Sequence, residues 1–234
     1  MTIDLSSADQ PVVDGSGGGP GEPGVEGDDR ETAELWWRQP WKLIVLGMAL
    51  VLLGLAGGYA FFGGRSTPQM DAVDVGFLQD MHTHHDQAVS MSFIYLDKPA
   101  AEQDPVLRSI AKTIIDEQQY ESGYMVGLLL DAHQPAVNDS DQVMGWMNEP
   151  LPADRMPGLA TQTQLDQLKA ASGKSADRLY AALMIAHHQG GIHMAEYAAE
   201  HAGRADVRHL ATNMISGQRG DIYELQNALT RASS

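Results

Sequence analysis

Two stretches of this 234-residue chain carry one pattern twice: Met81-His82-Thr83-His84-His85-Asp86-Gln87-Ala88-Val89-Ser90-Met91 and Met184-Ile185-Ala186-His187-His188-Gln189-Gly190-Gly191-Ile192-His193-Met194. In each, a Met is followed three residues on by a His-His pair, and a second Met lies six residues beyond the latter His. At about 3.6 residues per turn, Met81, His84, Ala88 and Met91 share one stripe of a helix, with His85 at its edge. Met184, His187, Gly191 and Met194 repeat the stripe, and His188 takes the place of His85. Imidazole and thioether are borderline-to-soft metal donors, so a helical face carrying both twice is a candidate ligand set.

The flanking sequence extends the repeat. Residues 71–96 carry Phe77, Met81, His84, Ala88, Met91 and Tyr95 at helical period. After a polar turn, Asp104 caps a second helix with Pro105 at its first position, running to about Leu130. Its inward face is Leu107, Ile110, Ala111, Ile114, Gln118, Glu121 and Met125. Residues 131–162, with Pro135, Pro150, Pro152 and Pro157, read as a long connection, and Thr163 to Ser172 as a short helix ended by Gly173. Ser175 caps a third long helix to about His201, which Gly203 stops, and Ala205 to about Arg231 forms a fourth. The first and third helices match at an offset of 103 residues, the second and fourth at 100. The expectation is an all-α domain over residues 70–231: a four-helix bundle of two duplicated helical hairpins, with a pseudo-twofold axis bringing the two His/Met faces together.

The N-terminal part differs in kind. Residues 1–34 hold nine acids against one base, with a Gly- and Pro-rich centre. We read residues 1–35 as a disordered acidic tail, because so few apolar side chains cannot offset the entropy of ordering. Leu43 to Phe62 is a charge-free run of 20 residues, with Trp36, Trp37 and Trp41 at one end and Tyr59, Phe61 and Phe62 at the other. That length and those interfacial aromatics predict one N-terminal transmembrane helix over residues 43–62. A cleaved signal peptide is the rival reading, and the long acidic stretch ahead of the run argues against it. Arg30, Arg38 and Lys42 precede the span while only Arg65 follows closely, so the tail is expected in the cytoplasm and the bundle outside, in a single-pass cell-membrane protein. Gly54 and Gly58 form one GxxxG pair for a neighbouring helix. A net charge of −16 argues against a nucleic-acid partner. With no cysteine, no disulfide holds the outer domain, and any soft metal site must use Met and His.

The candidate metal ligands are His84, His85, His187 and His188, with Met81, Met91, Met184 and Met194 beside them. His82 and His193 lie off the stripe, and His133, His201 and His209 read as turn or surface residues. Glu121 and Asp221 take equivalent places on the second and fourth helices, three residues after Gln118 and Gln218. A buried carboxylate must be paired, protonated or metal-bound, and imidazole is its natural partner. The metal-free alternative is a symmetric His–carboxylate network that orders the core. Di-iron chemistry is disfavoured, since the chain has two suitable acids and no Glu-x-x-His. Met125, Met184 and Met214 read as gap-fillers, whereas Met144, Met147 and Met156 lie around Trp146 in the polar connection, where a core role is less obvious. Thioether and imidazole donors without thiolate favour Cu(I) or Ag(I); zinc would suffice with His and carboxylate.

The His-His helix, the Gln-x-x-Glu/Asp of the next helix and the second Met-x-x-His-His-x-Gly-x-x-x-Met helix resemble the domain of unknown function 305 family over about residues 70–230. The resemblance implies a ferritin-like four-helix bundle, exported or membrane-anchored, with some members linked to copper binding and resistance. It carries over Met81, His84, His85, Met91, Glu121, Met184, His187, His188, Met194 and Asp221 as site residues. Met144-Gly-Trp-Met147 fits the family's Met-bearing linker.

These readings converge on a membrane-anchored, extracytoplasmic copper-binding protein that is not an enzyme. Two alternatives stand beside it: an accessory subunit of an integral-membrane complex, such as a respiratory one, and a metal-dependent redox enzyme.

Overall fold

A computed structural model of the protein describes residues 39–62 and 69–233; the acidic tail expected over residues 1–35 lies outside them. The chain divides into two units, Met1–Gly64 and Arg65–Ser234.

In the first unit, α1 spans Pro40–Phe62 and so begins three residues before the expected Leu43. Proline at a first helical position has its φ preset and lacks only an N–H that the helix could not pair there. The helix is long and apolar enough to cross a membrane, and leucines around its circumference, Leu50 and Leu53 among them, are exposed. An amphipathic helix would hide such a face, but α1 is apolar all round.

The second unit is helical: α2 Ala72–Leu96, α3 Pro105–Asp131, a short α4 Gln162–Ala170, α5 Gly173–His201 and α6 Ala205–Ser233. Asp71 and Asp74 open α2 as a capping box, each side chain accepting from the other's amide at 2.9 Å. Asp104 caps α3 through the amides of Val106 and Leu107, with Pro105 first in the helix as expected. Two boundaries differ from expectation. A Thr161–Gln164 capping box starts α4 at Gln162, and Lys98 Nζ donates to the Lys169 and Ala171 carbonyls at its close. Gly173 (φ 51°) then opens α5 instead of terminating α4, so Ser175 lies inside the helix and caps nothing.

α2 packs on α3 and on α5, α5 packs on α6, and α6 returns to α3. The duplication also appears in polar contacts that the sequence reading did not single out. Asp74 of α2 accepts from the Arg204 amide ahead of α6, and Asp177 of α5 accepts from the Asp104 amide ahead of α3. These pairs stand at the same offsets, 103 and 100 residues, as the helices that carry them. Each hairpin thus uses a buried carboxylate to fix the start of the other's second helix.

Apolar side chains gather in two clusters. One joins Phe77 and Met81 of α2 to Met125, Met194 and Met214; the other joins Met91 and Tyr95 to Ile114, Tyr180 and Met184. Since α2 and α5 run antiparallel, with Tyr95 bonded to Asp177 and Asp74 to Arg204, these clusters are the two ends of the core. His84 and His187, near the midpoints of their helices, lie between them.

The connection contains a small antiparallel ribbon, β1 Gln142–Val143 with β2 Leu151–Pro152, too short to show an alternating pattern. Asp80, fully buried on α2, holds it by accepting from the Met144 amide (2.7 Å), Trp146 Nε1 (2.8 Å) and Asn138 Nδ2 (3.2 Å). Gly76 makes room for Trp146: a Cβ there would lie 2.3 Å from the indole. Met144, Met147 and Met156, whose place in a polar connection argued against a core role, are buried in the first cluster because Asp80 pins the chain against α2.

Replacing Asp80 by Ala leaves the Met144 amide and the Trp146 indole without an acceptor, at a cost of about 2–4 kcal/mol. Trp146 is the single tryptophan of residues 65–234. Produced alone, that fragment should unfold at lower urea concentration when it carries D80A, and its native Trp emission should shift to the red. An unshifted spectrum would show that Asp80 does not hold the connection.

Candidate metal centre

The candidate imidazoles meet at the middle of the bundle. His84, His85, His187 and His188 are each 0% exposed. The His84 and His187 rings stack across the α2–α5 contact, with centroids 3.8 Å apart and planes 32° from parallel. Each Nε2 meets an oxygen. His84 donates to the Pro157 carbonyl (3.1 Å) and His187 to the backbone carbonyl of His84 (3.0 Å). His85 donates to Glu121 Oε2 (2.8 Å) and His188 to Asp221 Oδ2 (2.9 Å). The carboxylates are 21% and 19% exposed, so each links a buried ring to solvent.

These partners fix the tautomer. Carbonyl and carboxylate oxygens only accept, so all four rings carry a proton on Nε2, and in His84 and His187, which burial keeps neutral, the lone pair sits on Nδ1. All four Nδ1 atoms are buried and have no hydrogen-bond partner. The Oε1 atoms of Gln118 and Gln218, at equivalent positions, are likewise buried and unpaired. Gly191 stands where the first hairpin has Ala88, and a Cβ at Gly191 would sit 2.5 Å from Gln218 Oε1, the tip of a flexible side chain.

Burial holds the His84 pKa down to about 3, with the neighbouring His85 lowering it further and the Pro157 carbonyl offsetting only part. His187 is likewise held well below 6.5, by burial first and then by His84. Both rings are therefore neutral across the physiological range and keep their lone pairs. Glu117, one turn before Glu121 on α3, is raised by burial and then by the nearby Asp221 and Glu121 carboxylates. It is a third acid at this level, which the repeat could not flag because its counterpart is Gly217.

The predicted ligand set is thus brought together in part. The imidazoles and their two carboxylates assemble, while the methionines divide: Met81 and Met194 lie in one end cluster, Met91 and Met184 in the other, one from each motif. Among the described residues, no group of three His, Asp or Glu side chains is placed to hold a metal ion. Gly190 and Gly158 set the connection over this layer. A Cβ at Gly190 would lie 2.0 Å from the Pro157 carbonyl oxygen, and Gly158 takes φ 83° against α5. Off the stripe, His193 donates to Glu149 (3.1 Å) and His201 stacks on Tyr197, both at the surface.

Fold and centre together define a duplicated helical domain with a buried imidazole–carboxylate layer at its middle. The chain belongs to the family of the domain of unknown function DUF305, whose family model matches residues 74–229. A DUF305 protein from Streptomyces coelicolor, described as secreted, is similar at 34% identity and TM-score 0.63, over 69% of this chain and 94% of that one. A DUF305 fragment from Deinococcus radiodurans is similar at 27% identity and TM-score 0.60, over 70% and 99%. CopM in its Cu(I)-bound form is similar at 26% identity and TM-score 0.50, over 68% and 96%. No curated protein sequence matches the chain.

The depressed His84 and His187 make stability pH-dependent. Between their folded values and 6.5 the unfolded chain binds more protons than the folded one. The stability that depends on their neutrality is complete above about pH 6.5 and is lost as pH falls, by up to about 1.4 kcal/mol per pH unit for each ring. Urea midpoints for residues 65–234 should fall progressively from pH 7 to pH 4.5, and H84Q should flatten that decline. A profile level over this range would contradict the buried neutral pair.

Proposed function

We propose that this protein is a single-pass membrane protein whose extracytoplasmic helical domain binds copper for homeostasis rather than catalysis. The observation that carries the reading is the set of four buried, unpaired Nδ1 atoms, each on a ring whose other nitrogen is tied to an oxygen. Metal-ligating histidines have this arrangement: one nitrogen donates to a carboxylate or carbonyl, which orients the ring and raises the basicity of the other. The similarity to CopM, a protein captured with Cu(I), supports copper as the metal.

Ligand chemistry points the same way. Among the described residues no three imidazoles or carboxylates converge, so a metal served by those donors alone, such as zinc, lacks a complete set among them. The thioethers of Met81 and Met194 lie in the cluster at one side of the histidine layer and those of Met91 and Met184 in the cluster at the other, and thioether chemistry suits Cu(I). The all-round apolar α1 supports membrane anchoring, and the bases ahead of it support an outward-facing domain.

Equilibrium dialysis of residues 65–234 against buffered Cu(I) should show retention at micromolar affinity or better, weakened about tenfold or more by H84Q/H187Q. Retention that is absent, or that survives replacement of His84, His85, His187 and His188 in a folded variant, sinks the proposal.

α1 also favours a second, compatible role. Gly54 and Gly58 lie four residues apart on α1, the small-residue spacing that lets another helix approach closely. If the protein is an accessory subunit, purification from detergent-solubilised membranes recovers one stoichiometric integral-membrane partner, which G54L/G58L releases. Recovery of the protein alone removes this role.

A further inference from the structure

The four imidazoles at the middle of the bundle are 0% exposed, so nothing in solution reaches them unless part of the fold moves. Packed helices flank the layer, and the two apolar clusters close its ends. Across the α2–α5 contact the connection supplies a cover of its own. Met156 is buried in one end cluster and Ala160 in the other, so the residues between them span the layer as a strap.

The strap meets equivalent positions of the two helices. At the offset of 103 residues, His84 corresponds to His187 and Gln87 to Gly190. On α2, His84 donates to the Pro157 carbonyl, and Gln87 holds both backbone groups of Ala160. Gln87 Nε2 donates to the Ala160 carbonyl at 2.9 Å, and its Oε1 accepts from the Ala160 amide at 2.6 Å. On α5 the counterpart of Gln87 has no side chain, and the Pro157 carbonyl fills the space where a Gly190 Cβ would be. A Cβ at Gly158 would lie 2.6 Å and 2.8 Å from the Ala186 and His187 carbonyl oxygens. The strap therefore crosses from α2 to α5 at the stacked His84–His187 pair. It is clamped on one side and fitted against backbone on the other.

Two features suit the strap to opening. Residues 157–160 belong to no helix or strand, and Pro157, Gly158 and Leu159 are half-buried, so its outer side meets solvent. Among the described residues, the side chains of the long helices that hydrogen-bond to it are His84 and Gln87. With Gln87 released, only the His84 ring ties its backbone to α2 through a hydrogen bond.

We propose that residues 157–160 are a hinged strap over the imidazole layer, with Gln87 as its latch, and that its opening admits a ligand to the His84–His187 pair. What enters rests on the copper reading; the movement itself does not.

The test uses the full chain in detergent, labelled with ¹⁵N in its histidines, and follows exchange of the ring Nε2–H protons with water. Q87A removes both latch hydrogen bonds, and G158A drives a Cβ into the α5 backbone. Each should speed exchange at His84 about tenfold or more, while His85 and His188, whose acceptors lie on α3 and α6, keep their wild-type rates. Ag(I), a redox-inert probe, should shift the His84 and His187 ring signals of Q87A correspondingly faster. Unchanged His84 exchange in both variants overturns the strap, as does equal acceleration at all four rings, which marks general loosening. Faster His84 exchange with unaltered Ag(I) uptake also overturns it as the way in, and leaves the copper reading standing. Protein that takes up neither Ag(I) nor Cu(I) removes the copper reading, and His84 exchange alone then decides whether the strap opens. Should neither variant keep the helical circular dichroism, wild-type hydrogen exchange decides. The Ala160 amide and His84 Nε2–H should share one opening well below global unfolding, and exchange through global unfolding alone overturns the strap.

Discussion

Each imidazole buried at the middle of this core has two nitrogens to satisfy, and the fold satisfies one. Oxygen acceptors fix the Nε2 protons of His84, His85, His187 and His188, and the four Nδ1 atoms are buried without a hydrogen-bond partner. A buried unpaired polar atom costs about 1–3 kcal/mol, and a whole domain is stable by only about 5–15 kcal/mol. Leu in place of these rings would leave nothing unpaired. The rest of the architecture is arranged around carrying that penalty. Large apolar clusters close the core on both sides of the histidines, and the buried carboxylates Asp74 and Asp177 lock each hairpin to the other.

The duplication explains the frame, and its breaks locate what is particular to this chain. His85–Glu121 and His188–Asp221 are symmetric, as are the two helix-start contacts. His84 and His187 are not: one ring reaches the Pro157 carbonyl, the other the backbone of its own partner. The cause is the connection, which occurs once and lies over one end. Asp80 anchors it, and Leu183 occupies the position that Asp80 would have in the second hairpin. A twofold frame therefore carries a one-sided cover, and the extra sulfur lies on the covered side.

The helices and their pairing were legible because period and offset are local properties of the sequence. Asp104-Pro105 marked the start of α3, and the repeats at 103 and 100 residues implied hairpins meeting face to face. The His–carboxylate pairs were legible for the same reason, since Glu121 and Asp221 repeat beside the histidines. What the sequence concealed depends on tertiary contact. Nothing local reveals that Asp80 would draw Met144, Met147 and Met156 into the core, or that Gly173 would begin a helix. The separation of Met81 from Met91 follows from length: ten residues of helix span about 15 Å, more than a single metal's ligands can bridge. Asp74 and Asp177 repeat at the helix offset, so they were findable, but a short acid at a helix start reads first as a cap.

The unpaired nitrogens also connect stability to binding. A ligand that binds the folded state and not the unfolded one adds its binding free energy to stability. A cation that engages Nδ1 would do more than add contacts, because it removes a desolvation penalty already present in the metal-free domain. It meets rings that need no deprotonation, since burial keeps His84 and His187 neutral, and so binding there releases no proton from them. Their tautomer and orientation are set beforehand by oxygens of the connection and of α2, which lowers the ordering cost of coordination. The same buried defect that weakens the fold would then be a source of affinity for a metal that engaged it.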